Sequence, residues 1–182
     1  LFTNLTVVSI YSIYNIVLAG VSGILSIFTS SLYTSFGDVI ARKEQVILQK
    51  SYQEFELIYY MSITWTYSCA MILIMPFVKI YTQGITDVNY FIPIIGYLFV
   101  LNGLLHNIKT PQGMLVISAG LFKETKVQTT IQGLIVIIGG IIFVQFWGLA
   151  GILVGAIISN IYRDTDLLFF IARNVTKFKV SD

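Results

Sequence analysis

Residues 1–37, 57–78, 88–108, 110–122 and 127–162 contain no Asp, Glu, Lys or Arg. A soluble domain surrounds its core with charge at about a quarter of its positions. Here only 11% of 182 residues are charged, and mean hydropathy is +0.83. A helix needs about 20 apolar residues to cross the hydrocarbon core of a bilayer, and these runs supply several. They are continuously apolar rather than alternating, which selects helices over a barrel. The chain therefore reads as an all-α, polytopic membrane bundle. Its net charge of +2 carries no nucleic-acid signal, and the bilayer is its first expected partner.

We place five spans, at about 7–32, 57–78, 91–121, 127–146 and 148–162, the last able to run on into "DLLFFIA". The basic residues sort between the connections. Arg42, Lys43, Lys50, Lys123, Lys126, Arg163, Arg173, Lys177 and Lys179 fall on one side, and Lys79 alone falls in the opposite connections. The positive-inside tendency puts the first side in the cytoplasm. Tyr81, Tyr90 and Trp147 then mark the outer ends, and Tyr52, Phe55 and Tyr162 the inner ones. Glu54 and Glu56 are expected to open the second helix at its positive dipole end, and Thr86 or Asp87 to cap the third. The connection 38–56 mixes apolar and charged residues at helical spacing and is expected to be an amphipathic helix on the membrane surface. The chain opens on Leu1 without a secretory leader, and we expect it to be one part of a longer protein. Lone Cys69 permits no intrachain disulfide.

Few groups could carry out chemistry. There is one histidine and one cysteine, no carboxylate within the five spans, and no metal-ligand spacing, Walker loop or nucleophile elbow. We expect neither an enzyme nor a cofactor or metal. Gly151, Gly155 and Ser159 follow the i, i+4, i+8 small-residue pattern through which membrane helices pack closely. Tyr11, Asn15, Ser22, Ser26, Thr29 and Tyr33 fall along one face of the first span, interrupted by Leu18. Polar groups in lipid lack partners, so this stripe faces either a neighbouring helix or one wall of a polar passage.

The segment "LHNIKTPQG", Leu105 to Gly113, raises the same question more sharply. It places His106, Asn107, Lys109 and Pro111 between two apolar runs. A lysine within hydrocarbon costs several kcal/mol unless paired, hydrated or snorkelling. From Tyr90 a straight helix reaches Lys109 after about 28 Å, at the inner boundary, where snorkelling suffices. Yet "MLVISAGLF" prolongs the apolar run, and Pro111 is a ready hinge. A tilted or broken helix would instead turn His106, Asn107 and Lys109 into a cavity fit for an anionic head group.

Several segments in order, "VSIYSIYN", "TSSLYTSFGDVIARKE", "MPFVKIYTQGITDVNY", "SAGLFKETK" and "GLAGILVGAIIS", resemble the polysaccharide flippases. These are the O-antigen and capsule repeat-unit transporters of the multidrug/oligosaccharidyl-lipid/polysaccharide exporter superfamily. The resemblance implies a two-lobed helical transporter of which residues 1–182 form most of the second lobe, completed by further transmembrane helices. It implies a bacterial inner-membrane location. The implied substrate is an undecaprenyl-pyrophosphate-linked oligosaccharide moved from the cytoplasmic to the outer leaflet. The positions it points to are Tyr11 and Asn15 on the first span and the region of Lys109. Related flippases for peptidoglycan precursors carry an arginine near the start of the matching span, where this chain has Tyr and Asn. The alternative within the superfamily is a cation-coupled multidrug or metabolite exporter.

Overall fold

The computed structural model describes residues 5–86 and 88–177; Asp87 and Lys179 lie outside the described residues. Helices account for nearly all of it. They are α1 (Leu5–Ser30), α2 (Leu32–Ala41), α3 (Gln45–Tyr81), α4 (Pro93–Ile108), α5 (Thr110–Ser118), α6 (Phe122–Trp147) and α7 (Leu149–Ile171), followed by a π-helical turn, Ala172–Thr176. The bundle is all-helical, as its uncharged runs require. Three helical rods are long and apolar enough to span a membrane: Leu5–Ala41, Gln45–Tyr81 and Phe122–Trp147. The protein is thus a multi-pass membrane protein.

The remaining two expected spans have a different form. The third divides at Lys109 into α4 and α5. The fifth becomes α7, which continues through Arg163, Asp164 and Asp166 to Ile171. Its start depends on Gly148, whose φ of 55° suits a residue without a Cβ.

The connection 38–56 is not one amphipathic surface helix. Its first part completes α2, its last part is the beginning of α3, and residues 42–44 turn between them. The apolar positions Phe36, Leu48 and Tyr52 explain the difference, because each is buried in a common core. At 37 residues, α3 is about 55 Å long, far beyond the thickness of hydrocarbon, so it tilts or projects. Glu54 and Glu56 consequently lie within α3 and open no helix. Thr86 caps nothing either, since α4 begins at Pro93 after an extended Ile92, a position suited to proline.

Two cores hold the bundle together. The larger joins α1, α3 and α4 through residues such as Tyr14, Leu18, Ile63, Tyr67, Ile74, Phe99 and Val100. The smaller joins α2, the start of α3, α5 and the end of α7 through Phe36, Leu48, Met114, Leu115 and Leu167. α4 lies centrally, with α1, α3 and α7 as neighbours. Its entry is fixed by Tyr14, whose hydroxyl donates to the Tyr90 carbonyl at 2.7 Å and accepts from the Ile92 N–H at 3.1 Å. Tyr90 and Tyr52 are therefore core residues at the two ends, whereas Tyr81 and Trp147 are exposed as belt residues would be.

Candidate functional site

The close pairing of α6 and α7 builds one wall of the site. Four residues of α7 face α6 in succession. A Cβ on Gly151 would collide with the Phe143 carbonyl, and one on Gly155 would lie 2.8 Å from the Gly140 nitrogen. Ser159 Oγ donates to the Gln132 carbonyl at 2.9 Å. Arg163 Nη2 then donates to Thr129 Oγ1 at 3.1 Å. The helices run antiparallel and backbone to backbone, the packing that small residues permit. Arg163 continues the i, i+4 series of Gly151, Gly155 and Ser159 by one more step. Its other arm pairs with Asp166 at 2.6 Å, and the residue is buried.

The α4–α5 break builds the facing wall. Pro111 has no N–H to offer the carbonyl of Asn107, four residues earlier. The helix changes course at Lys109 and resumes with Gly113 N–H donating to the Lys109 carbonyl at 2.8 Å. The Lys109 ammonium donates to Asn160 Oδ1 on α7. The Asn160 amide in turn donates to Asn102 Oδ1 on α4 at 3.0 Å. This chain of amides fixes the lysine across the α4–α7 contact, and Asp164 lies within electrostatic reach of it.

Between the walls lies an open groove of about 270 Å³, lined by His106, Lys109, Arg163, Tyr33, Thr129 and Gln132 among others. Three basic side chains thus converge with three hydroxyls, those of Tyr33, Thr110 and Thr129, and an amide. The groove is smaller than most sites for drug-sized ligands, about 300 Å³ and upward. Its size fits a head group rather than a whole saccharide. Its depth follows from the helix lengths. Lys109 lies 16 residues along from Pro93 and Arg163 lies 14 from Leu149, each about 21–24 Å from the end bearing Trp147. That distance is most of the thickness of a hydrocarbon layer, about 30 Å. Of the two placements that the sequence left open for Lys109, the structure bears on one: the side chain lines a groove.

The other residues singled out from the sequence divide. His106 is exposed at the groove, whereas Asn107 is buried away from it. The Asn107 amide donates to Tyr67 Oη at 2.7 Å, to the Gly103 carbonyl at 2.9 Å and to Ser22 Oγ at 3.3 Å. Asn107 and Ser22 therefore join α4, α3 and α1 from within. The packing is tight, since a Cβ on Gly103 would lie 3.0 Å from the Tyr67 ring. Tyr11 packs beside Phe99 with ring centroids 5.0 Å apart, and Asn15 is exposed on the flank of α1. Neither lines the groove. Of the polar stripe on the first span, Tyr33 alone does so.

The sequence reading missed Asn160, Asn102, Thr129 and Gln132, and it counted Arg163 only among the basic residues beyond the fifth span. The signal available was the continuation of the 151, 155, 159 series to 163. With α7 running to Ile171, Asp164 and Asp166 lie on the helix that continues the expected span 148–162. Asp164 Oδ1 is buried without a hydrogen-bond partner. Glu56 Oε1 accepts from Tyr60 Oη at 2.9 Å, Tyr52 Oη at 3.2 Å and Gln112 Nε2 at 3.2 Å. Among the described residues, no group of three His, Cys, Asp or Glu side chains could hold a metal ion.

No protein-family model, curated protein or solved structure matches the chain.

Proposed function

We propose that the chain is part of a membrane transporter that carries a polyprenyl-diphosphate-linked oligosaccharide from the cytoplasmic to the outer leaflet of a bacterial inner membrane. The observation that carries the reading is the groove, where His106, Lys109 and Arg163 converge. Lys109, held by the neutral Asn160 amide, is the cation offered to the phosphate, and in a site partly shielded from water such a charge binds phosphate more strongly than in solution. The hydroxyls of Tyr33 and Thr129 and the Gln132 amide supply hydrogen bonds for the first sugar. The apolar, exposed flank of α6 gives the polyprenyl chain a lipid-like surface beside the groove. Further helices of the transporter would form the opposite side of the path.

The decisive comparison is flipping of a lipid-linked oligosaccharide by the intact transporter carrying Lys109→Ala or the loop control Lys123→Ala. Transport lost in the first and retained in the second, with both inserted and folded, supports the groove as the substrate path. Equal transport in both removes Lys109 from that path and leaves the reading without its main support.

A specific observation favours one other reading. The half-buried carboxylates of Glu56 and Asp164 are the kind of group a cation-coupled multidrug or metabolite exporter uses. On that reading, small organic cations are the substrates, and Asp164→Asn stops their transport while lipid-linked saccharide is never bound.

A further inference from the structure

Another cavity lies at the basic end of the bundle, where the α2–α3 turn, the α5–α6 turn and the terminal π-helical turn meet. It encloses about 450 Å³ and has two kinds of lining. Ile40, Leu48 and Leu121 form an apolar wall, while Lys43, Lys177 and Glu44 stand at the mouth. The walls are fastened by side chains. Gln45 Nε2 donates to the Val175 carbonyl at 2.9 Å, and Gln49 Nε2 donates to the Thr176 carbonyl at 2.7 Å.

The two lysines share an unusual backbone. Among the described residues, Lys43 and Lys177, with φ of 60° and 57°, are the non-glycine residues of positive φ. A left-handed residue just past a helix end is ordinarily glycine, since a Cβ is disfavoured there. This chain places a long cation at both such positions, and both border one cavity. The ion pairs among the described residues, Arg42–Asp38 and Arg163–Asp166, engage neither lysine.

The cavity also sits at a definite depth. The uncharged part of α6 from Val127 to Phe146 matches a hydrocarbon layer of about 30 Å, so Lys126 marks its edge. Leu121 is five residues beyond, about 7 Å into the head-group layer. An occupant must therefore offer an anionic group to two ammonium groups and an apolar part to Ile40, Leu48 and Leu121.

We propose that this cavity is a binding site for an anionic phospholipid, whose phosphate meets Lys43 and Lys177 and whose proximal acyl chain lies on the apolar wall. The site is separate from the groove and rests on the membrane placement alone, so its failure leaves the transport reading untouched.

The test uses the intact protein in nanodiscs of phosphatidylcholine with or without phosphatidylglycerol, reading retained lipid by native mass spectrometry. Wild type keeps phosphatidylglycerol selectively. Lys43→Gln/Lys177→Gln lowers that retention on the order of tenfold, whereas Lys50→Gln/Lys123→Gln, removing equal charge, does not. Glu44→Gln, which removes the carboxylate at the mouth, raises it, and this arm decides the matter if the double variant fails to fold. Glycerol phosphate alone does not displace the lipid. Equal loss in the two double variants would show only a diffuse basic surface and overturn the proposal. So would unchanged retention in Glu44→Gln, equal retention of phosphatidylcholine, or displacement by glycerol phosphate.

Discussion

Replacing Gly155 by alanine adds one methyl group at a close backbone contact between α6 and α7. The new Cβ would lie 2.8 Å from the Gly140 nitrogen and 2.9 Å from the Gly139 carbonyl carbon. Both are backbone atoms, so no side chain can rotate aside, and the helices must part by roughly 0.6 Å to reach ordinary contact. Overpacking of this kind costs about 1–3 kcal/mol, and a gap of this size forfeits about a quarter of the dispersion well for each contact along the seam. We expect a net loss of about 2 kcal/mol. Gly140→Ala is the matched control, because nothing lies within 4 Å of the Cβ it would add. The same chemical change there is neutral or stabilising by up to about 1 kcal/mol. The assay is SDS-driven unfolding of the intact protein in mixed micelles. Trp147, which stacks on Phe143 with centroids 5.7 Å apart, serves as the reporter in a Trp65→Phe background. If Gly155→Ala unfolds at the same SDS fraction as Gly140→Ala, the backbone-to-backbone account of the α6–α7 seam is wrong.

Asn107→Ala removes the amide that joins Tyr67, Gly103 and Ser22. We expect a loss of about 1–2 kcal/mol in the same unfolding assay, with no change in substrate affinity beyond what instability causes. Arg163→Lys keeps the charge but cannot span Thr129 and Asp166 together. Binding of a polyprenyl diphosphate, measured by tryptophan quenching or calorimetry, should weaken about tenfold. Pro111→Ala restores an N–H for the Asn107 carbonyl. Spin labels at Leu101 and Ile117 should then move apart toward the 24 Å or so of a straight helix, and an unchanged distance would assign the break to tertiary packing instead.

How far the sequence disclosed the fold depends on what each residue reports locally. The uncharged runs state the medium plainly, and Pro111 marks the α4–α5 break, although Pro76 lies inside the unbroken α3. The α2–α3 turn was hidden, because neither Gly, Pro nor Asn occupies 42–44 and Lys43 adopts the left-handed conformation that such residues usually take. The end of α7 was hidden for an electrostatic reason. "RDTD" looks like a solvated connection, yet Arg163 and Asp166 lie one turn apart on the same helix and neutralise each other. The groove required the second of these facts. Lys109 was visible as an out-of-place charge, but its partner cation became visible only once α7 was known to continue past it.

The seam between α6 and α7 also bears on how the protein enters a membrane in the first place. These helices are joined by a single residue, Gly148, and the buried arginine finds its neutralising partners within the pair. A nascent chain carrying an unpaired arginine would resist partitioning into lipid. Here the counter-charge and the hydroxyl that satisfy it arrive in the same hairpin. The pair can leave the insertion machinery as one closed unit, without waiting for the earlier helices to assemble around it.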